Sequence, residues 1–456
     1  MCDIIEIQMI HVNILKERKE AKMKRKQVIA VTLTAVSVVT MLGGVEASAK
    51  EKRVLTFNTN SWAAPQNVPG LQELFDQWEE ENNAELEITV GTDDYLSKLL
   101  QDINAGNVAD VVMVDGSNLA EINQTGAMVS LDKWYTEEMR AEHYPYAAQG
   151  CMVDGEVKSI WFHGGLWNLY YREDLLKEAG YEEPPKDWDE LLEIGKALTV
   201  DEDGDGVIDR YGLGIPAFPD AVTSCTLLPW FWGHGEGAEL TDGKSKVLFG
   251  EGESYEAMLD TMQYIQKLME EEIVAPDIAS VKFTDVEANF VGGQTAMAIL
   301  GNWHYPLMKE SGGEDFISKV GIADIPTVPG KEPCTTAGGW NLAMFTDDPE
   351  QQELAWSFME FYRGIEVQTL FTRIGQMSSL LTVYEQDEFK NDPVWQAYAE
   401  GLYAAKPRDA VPFYSAADEA FKEIVQSATT GEEDLESVIK EEAENAQEVA
   451  DGIMNQ

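Results

Sequence analysis

The sequence predicts an α/β protein made of two lobes. Its 456 residues are more than a single hydrophobic core usually accommodates, and chains of this length usually divide into two or more domains. Hydrophobic residues make up 44% of the chain and aromatic residues 10%, which indicates a packed globular protein rather than a disordered one. Near the start, apolar strand patterns alternate with amphipathic helix patterns, and this alternation is typical of an open sheet flanked by helices.

The first elements follow that alternation in order. The predicted elements are a strand at 54–57, a helix from Leu71, a strand at 86–90, a helix at 95–103 and a strand at 111–114. In open α/β sheets, ligands lie outside the carboxyl ends of the strands. Here those ends are the loops that begin at Asn58, Gly91 and Asp115, so we expect ligand contacts there.

Later segments contain more helices. Asp187 follows two prolines and is a predicted N-cap. The predicted helices lie at 174–179, 188–198, 255–271, 349–362 and 415–426. The acidic stretch 432–448 is interpreted as the solvated face of a helix.

The N-terminus predicts export. Residues 23–49 combine a basic start, an apolar run of about 15 residues and a small-residue cleavage pattern, which together are typical of a signal peptide. The apolar run is too short to cross a bilayer of roughly 30 Å. Residues 1–22 are interpreted as an upstream extension before the true start at Met23. Because the usual lipoprotein cysteine is missing, we expect an exported protein that is periplasmic, extracellular or associated with the cell surface.

The net charge and the cysteines limit the classes of ligand and of metal site that we expect. The formal net charge of −49 disfavours binding to nucleic acid and to anionic lipid, although an acidic solvated exterior without a binding role is the simpler interpretation. Cys151, Cys225 and Cys334 remain after the leader. They permit at most one disulfide and show no metal-ligand spacing, so we interpret them as small buried apolar residues.

Four segments together carry a family resemblance. Residues 95–99 and 105–112 resemble the pattern Y-x-x-K-L…A-G-x-x-P-D-V, with Ala109 in place of the usual proline. Residues 169–191 resemble L-Y-Y-N-K-D-L…A-G…P-P-x-T-W-D-E-L, with Arg172 and Glu173 in place of Asn and Lys. Residues 290–303 and 338–340 complete the set. In this order the segments resemble the extracellular sugar-binding proteins of ABC importers, the family typified by maltodextrin-binding protein.

The resemblance implies a periplasmic-binding-protein-like fold. Each lobe would be an open α/β sheet flanked by helices, with the ligand in the cleft between lobes that close by hinge rotation. It implies a first lobe from 54–164 plus 335–372 and a second lobe from 165–334 plus 373–456. It also implies an oligosaccharide ligand, the permease subunits of an ABC importer as membrane partner, and no enzymatic activity. We expect a monomer that binds one ligand per chain.

Sugars require two kinds of side chain. Flat aromatic rings cover the apolar face of a pyranose, and polar groups pair with its hydroxyls. Because tryptophan is more often a core residue than a platform, Trp78, Trp188, Trp356 and Trp395, at helical spacing, are assigned to packing. The predicted ligand-binding residues lie in loops near the expected cleft: Asn60, Trp62, Asp115, Ser117, His163, Trp167, Trp230, Trp303 and Trp340. For His163 a purely structural role is the competing interpretation.

The segment 201–209 predicts a calcium site. Its oxygens at loop positions 1, 3, 5 and 9, its carbonyl at position 7 and its glycine at position 6 match the needs of a hard cation. The predicted ligands are Asp201, Asp203, Asp205, Val207 and Asp209. Gly212 stands where a complete loop has a bidentate glutamate, so an empty acidic turn is the alternative. A bound Ca²⁺ would have a structural role.

Other functions share some of these features. A secreted glycoside hydrolase needs two carboxylates beside the scissile bond, but with 82 acidic residues the sequence contains many such pairs by chance. A calcium-dependent adhesion protein is the third class. Within the resembling superfamily, iron, polyamines and glycerol phosphates are alternative ligands, and the abundance of loop tryptophans favours a neutral sugar.

Overall fold

The computed structural model describes residues 52–91, 95–431 and 434–455. The predicted signal peptide and upstream extension lie outside the described residues. The strands are β1 Arg53–Thr59, β2 Ala84–Val90, β3 Val111–Asp115, β4 Met152–Val153, β5 Glu156–Val157, β6 Ser159–Trp161, β7 His163–Gly164, β8 Trp167–Arg172, β9 Tyr211–Gly214, β10 Thr295–Gly301, β11 Val320–Ala323, β12 Thr335–Ala337, β13 Trp340–Met344, β14 Met377–Ser378 and β15 Ala405–Pro407.

Helices account for much of the remaining chain. They are α1 Leu71–Asn82, α2 Tyr95–Ala105, α3 Leu119–Asn123, α4 Glu137–Arg140, α5 Pro145–Gly150, α6 Glu173–Glu178, α7 Trp188–Leu198, α8 Ala221–Trp232, α9 Gly252–Glu270, α10 Phe283–Gly292, α11 His304–Ile317, α12 Pro349–Tyr362, α13 Ile365–Arg373, α14 Pro393–Ala404, α15 Tyr414–Thr430 and α16 Leu435–Met454. Within the described chain, each helix lacks the combination of length and apolar character that a bilayer crossing requires.

The first lobe is built on a five-stranded sheet in the order β2-β1-β3-β13-β6. β1 pairs in parallel with β2 and β3, and β13 runs antiparallel to β3 and β6. The side chains of β3 are buried up to Val114, as expected for a central strand covered on both faces. Because β1, β2 and β3 are parallel, their carboxyl ends lie on the same edge of the sheet, as the sequence predicts.

The second lobe is built on a four-stranded sheet in the order β11-β8-β10-β9. Every residue of the central strand β10 is buried. One continuous core joins this sheet to α7, α8, α9, α15 and α16. The structure therefore has the predicted architecture of two α/β lobes.

The chain crosses between the lobes in segments that pair with one another. Gly165 and Gly338 exchange two backbone hydrogen bonds, with N–O distances of 3.0 and 2.9 Å, and β7 pairs antiparallel with β14. Gly339 must be a glycine, because a Cβ atom there would lie 1.8 Å from Nε1 of Trp161. These short crossing segments lie at the hinge that the resemblance implies, and they are called the hinge region below.

Several predicted elements are confirmed. α7 and α12 begin and end at the predicted residues, and the Asp187 carboxylate accepts a hydrogen bond from the backbone N–H of Glu190, as an N-cap does. Part of the predicted loop that begins at Asn58 instead forms two short 3₁₀ turns, Ser61–Ala63 and Pro65–Asn67. The boundaries of the two lobes stay a prediction.

Candidate functional site

A cleft of about 550 Å³ lies between the two lobes. One wall comes from the carboxyl edge of the first sheet, and the other comes from α15 and the residues before it. The lining residues are Asn60, Ser61, Trp62, Gly91, Tyr95, Leu96, Asp115, Ser117, Asn118, Ala221, Trp340, Arg408, Tyr414, Ser415, Asp418, Glu419 and Lys422. This volume lies within the range of roughly 300–1,000 Å³ that is typical of small-molecule sites.

Three half-buried aromatic rings form the centre of the first-lobe wall. Trp62 lies in the 3₁₀ turn after β1, Tyr95 begins α2, and Trp340 begins β13 directly opposite Asp115. The ring centroids of Trp340 and Trp62 are 6.5 Å apart, and those of Trp340 and Tyr95 are 5.3 Å apart. The rings therefore form one contiguous aromatic surface, of the kind that covers the apolar face of a sugar.

Polar groups surround these rings. The Tyr95 hydroxyl donates to the Asn118 side-chain oxygen and accepts a bond of 3.2 Å from the Asp115 backbone N–H. Burial and the Asp115 carboxylate raise the pKa of Tyr95 well above its ordinary value, so its hydroxyl stays protonated. Asp115 also accepts hydrogen bonds from both the backbone and the side chain of Ser117. The side-chain amide of Asn60 donates to the Met113 sulfur, at 3.5 Å, a weak partner.

Charged side chains form the second-lobe wall. Tyr414, Asp418 and Lys422 follow one another at four-residue spacing and thus share one face of α15. Lys422 lies 3.6 Å from the Asp418 carboxylate and also pairs with Glu419. Burial raises the pKa of Asp418, although nearby Arg408 opposes the shift. Burial alone would lower the pKa of Arg408, but Asp115 together with Cys225, Tyr414 and Asp418 outweighs it and raises that pKa well above its ordinary value.

The structure brings five of the nine predicted ligand-binding residues together. They all lie on the first-lobe wall and are Asn60, Trp62, Asp115, Ser117 and Trp340. The cleft's second wall was missed by sequence reasoning. Its available signal is the four-residue spacing of Asp418 and Lys422 in the predicted helix 415–426, with Tyr414 one residue before that helix, but many solvated helices share this feature.

His163 lies behind the first wall. It is 5% exposed, its ring centroid is 5.0 Å from that of Trp62, and its Nε2 atom is 2.7 Å from Oε1 of Gln376. Burial lowers its pKa to about 4, against the opposing hydrogen bond that the ring donates to Gln376, so the ring is neutral at pH 7. His163 supports Trp62 and does not line the described cleft, which agrees with the structural interpretation.

The prediction for Trp230 is wrong. Its side chain is 0% exposed and packs in the second-lobe core, with ring centroids 6.4 Å from Trp188 and 5.4 Å from Tyr264. The reason is that α8 is buried on all sides from Thr223 onward, so a tryptophan on it has no solvent-facing position. Neighbouring glycine and histidine residues made this helix end resemble a polar loop.

Trp167 and Trp303 lie near the hinge rather than on the described cleft lining. Their rings meet edge to face, with centroids 5.2 Å apart. Trp167 is 4% exposed, whereas Trp303 is half-buried against the second-lobe core. A direct ligand contact by either residue stays a prediction.

The predicted calcium loop brings three carboxylates together. Ligand atoms of Asp201, Asp203 and Asp209 lie within 4.8 Å of one another. Asp201 also accepts hydrogen bonds from the backbone N–H groups of Gly204 and Gly206, both of which have positive φ angles. The carboxylate of Asp205 instead accepts a hydrogen bond from the Val207 N–H. Among the described residues, no fourth carboxylate belongs to the cluster of Asp201, Asp203 and Asp209. The donor set fits a hard cation in part, and calcium binding stays a prediction.

Comparisons with known proteins agree with this geometry. The model of the family "Bacterial extracellular solute-binding protein" matches residues 64–369. The chain belongs to this family. A Deinococcus radiodurans protein named "Probable ABC transporter-binding protein" is 27% identical over 304 residues, covering 63% of this chain and 68% of the relative. A Streptococcus pneumoniae "Maltooligosaccharide ABC transporter solute-binding lipoprotein" is 22% identical over 376 residues, covering 78% and 81%.

Solved structures of such solute-binding proteins share the fold. Maltose-bound MalE3 of T. maritima superposes with a TM-score of 0.74 at 22% identity, covering 87% of this chain and 99% of that one. This similarity confirms the two-lobed fold. Members of the family bind solutes for ABC transporters outside the cytoplasm and do not transform them, so the chain is a binding protein and not an enzyme.

Proposed function

We propose that this solute-binding protein captures a neutral oligosaccharide in the cleft and delivers it to the permease subunits of an ABC importer. The observation that carries the proposal is the contiguous aromatic surface of Trp62, Tyr95 and Trp340 with amide and hydroxyl groups at its edge. An apolar ring face and a belt of hydroxyls require this combination, because each buried hydroxyl without a partner would cost about 1–3 kcal/mol.

The charges of the cleft support a neutral ligand. Arg408 pairs with Asp115, and Lys422 pairs with Asp418 and Glu419. A phosphate would have to displace a carboxylate from one of these cations, and a polyamine would have to displace a cation from one of the carboxylates. Either exchange leaves a largely buried charge without its partner, which is costly. A neutral sugar can accept and donate hydrogen bonds without breaking the pairs.

We also propose that residues 23–49 direct export and that the chain acts as a monomer outside the cytoplasm. The names of the relatives support an importer as the partner, since one is a solute-binding lipoprotein of an ABC transporter. Mass spectrometry of the secreted protein tests the leader directly. A mature N-terminus at residue 50 is expected, and an intact N-terminus in the exported fraction would contradict this part.

Isothermal titration calorimetry against a panel of solutes tests the ligand class. The panel contains neutral di- to hexasaccharides, a monosaccharide, spermidine and glycerol phosphate. We expect one saccharide bound per chain, with the tightest binding among the oligosaccharides. Heat from spermidine or glycerol phosphate alone would overturn the proposal.

Chromatography of the same mixtures separates the alternative functions. An unchanged saccharide after prolonged incubation is expected, whereas shortened products would indicate a hydrolase. Several weak sites per chain would indicate an adhesion protein.

A further inference from the structure

In the described part of the chain, two side-chain hydrogen bonds join the lobes across the cleft. Nη2 of Arg408 donates to Oδ1 of Asp115 at 2.7 Å, and the Ser415 hydroxyl donates to the Glu121 carboxylate at 2.6 Å. Asp115 ends the central strand of the first sheet, and Glu121 lies on α3 in the same lobe. Arg408 and Ser415 belong to the opposite wall. Both contacts connect protein atoms directly, so they stabilise the closed arrangement by themselves.

The arginine is anchored firmly to the second lobe on both sides along the chain. Lys406 pairs with Glu239 at 2.5 Å, and the Asp409 carboxylate accepts a hydrogen bond of 2.7 Å from the Thr241 hydroxyl. Asp115 is held in turn by hydrogen bonds from Ser117. Since both partners are fixed within their own lobes, a force between Arg408 and Asp115 acts on the lobes as whole bodies.

The Asp115–Arg408 ion pair is strengthened by its burial. The side chain of Arg408 is 7% exposed and that of Asp115 is 19% exposed, unlike the solvated pairs elsewhere on the surface. Charge-assisted hydrogen bonds shielded from solvent are stronger than exposed ones, which contribute little. The other charged groups of this wall are Asp418, Glu419 and Lys422. Lys422 pairs with both carboxylates, and Asp418 also interacts with Arg408 from within the same lobe. Opening the cleft would therefore separate Arg408 from its carboxylate partner in the first lobe.

We infer that the Asp115–Arg408 ion pair, assisted by the Glu121–Ser415 hydrogen bond, is an electrostatic tie that sets how much of the protein is closed before a ligand binds. Arg408 is then a positioning residue for capture. The apparent dissociation constant equals the intrinsic one divided by the fraction of competent molecules, so the tie also sets ligand affinity. Only this last consequence rests on the proposed function.

Small-angle X-ray scattering of the ligand-free protein tests the tie. The radius of gyration is measured in 20 mM and 500 mM NaCl for the wild type, Arg408→Gln and Arg172→Gln. Arg172→Gln is the matched control, because it removes a partly buried arginine–carboxylate ion pair, with Asp174, that lies within the second lobe. We expect the wild type and the control to expand in high salt, and Arg408→Gln to be expanded already in low salt and insensitive to added salt.

Equal radii for Arg408→Gln and the wild type in both salts would overturn the inference. Circular dichroism establishes that each variant is folded. Should Arg408→Gln fail to fold, Ser415→Ala and the wild-type salt series decide, with partial expansion of Ser415→Ala and salt-dependent expansion of the wild type expected. A salt-independent wild-type radius would then contradict the tie.

Affinity provides the second measurement once a saccharide from the panel binds. Arg408→Gln is expected to weaken its binding about tenfold in low salt, and the difference from wild type should shrink in high salt. A defect of the same size in both salts would contradict the tie and indicate a direct contact. Salt-dependent closure without binding of any saccharide would overturn the proposed function and leave the tie intact.

Discussion

The two walls of the cleft differ in chemistry and in origin. The first-lobe wall presents the rings of Trp62, Tyr95 and Trp340 on loops and element ends at the edge of a sheet. The second-lobe wall presents charged side chains from a single helix, α15, and from Arg408 just before it. An aromatic surface can bind the apolar face of a sugar while the cleft is open. The charged wall contributes only when the lobes come together.

This difference assigns separate roles to the walls. Loss of a ring from the first wall should weaken the initial capture of a sugar, whereas loss of a charge from the second wall should hasten its release. These separate roles also require that the aromatic residues behind the second wall belong to the second-lobe core and do not contact the ligand. Each of these statements can be tested by substitution.

The largest expected effect is on stability and concerns Trp230. Trp230→Ala should lower the free energy of unfolding by about 3–5 kcal/mol, because it removes a fully buried indole from a packed core. Urea denaturation measures this loss. Trp62→Ala, at a half-buried position of the first wall, is the control and should cost much less. A smaller loss for Trp230→Ala than for Trp62→Ala would contradict the assignment.

The next largest effect is on the affinity for the saccharide and concerns the aromatic rings of the first-lobe wall. Trp340→Ala should weaken binding of the saccharide by about 2–3 kcal/mol, or roughly 30- to 150-fold, as expected for a central aromatic anchor. Trp340→Phe should retain part of this affinity because it keeps a flat ring. Calorimetry measures both. Trp303→Ala is the control outside the described lining, and a loss from it equal to that from Trp340→Ala would move the site toward the hinge.

The first wall could be predicted from the sequence, for a physical reason. Parallel strands place their carboxyl ends on one edge, so Asn60, Trp62 and Asp115 could be grouped from local patterns alone. Arg408 and Asp418 could not, because their position depends on how α15 packs across the cleft. The error at Trp230 has a similar origin. Burial of a helix on all sides is a tertiary property, and the flanking glycines and histidine concealed it.

The third prediction concerns the pH dependence of stability caused by His163, the residue behind Trp62. The pKa of His163 is lowered from 6.5 to about 4 in the folded protein, so the unfolded chain binds more protons between these values. Stability from this group is therefore complete above pH 6.5 and is lost as the pH falls toward 4. Between pH 6.5 and 5 the loss should be about 2 kcal/mol.

Denaturation of His163→Gln and of the wild type at pH 6.5 and pH 5 isolates the contribution of His163 to the free energy of unfolding. His143, whose pKa burial lowers to about 3, adds its own loss in both proteins and cancels in the comparison. The variant should lose less stability than the wild type on acidification. Equal losses would show that His163 accepts a proton without cost.

The fourth prediction concerns the acidic loop 201–209, which lies outside the cleft lining although it belongs to the second lobe. Calcium at ten times its dissociation constant should raise the free energy of unfolding by about 1.4 kcal/mol. Asp201→Asn should abolish this gain, while Asp205→Asn should reduce it less, because Asp205 lies outside the carboxylate cluster. Thermal denaturation with calcium or with a chelator measures both. No difference between the two conditions would indicate an empty turn.

The smallest expected effect distinguishes the walls most directly. Lys422→Gln removes a cation that is 13% exposed on the second wall and should raise the dissociation rate of the saccharide about fivefold, near 1 kcal/mol, with little change in the association rate. Lys440→Gln, which breaks an exposed pair with Glu436 on α16, is the control and should change neither rate. Stopped-flow tryptophan fluorescence measures both rates. A slower association instead of a faster dissociation would place Lys422 in the capture step and remove the division of roles between the walls.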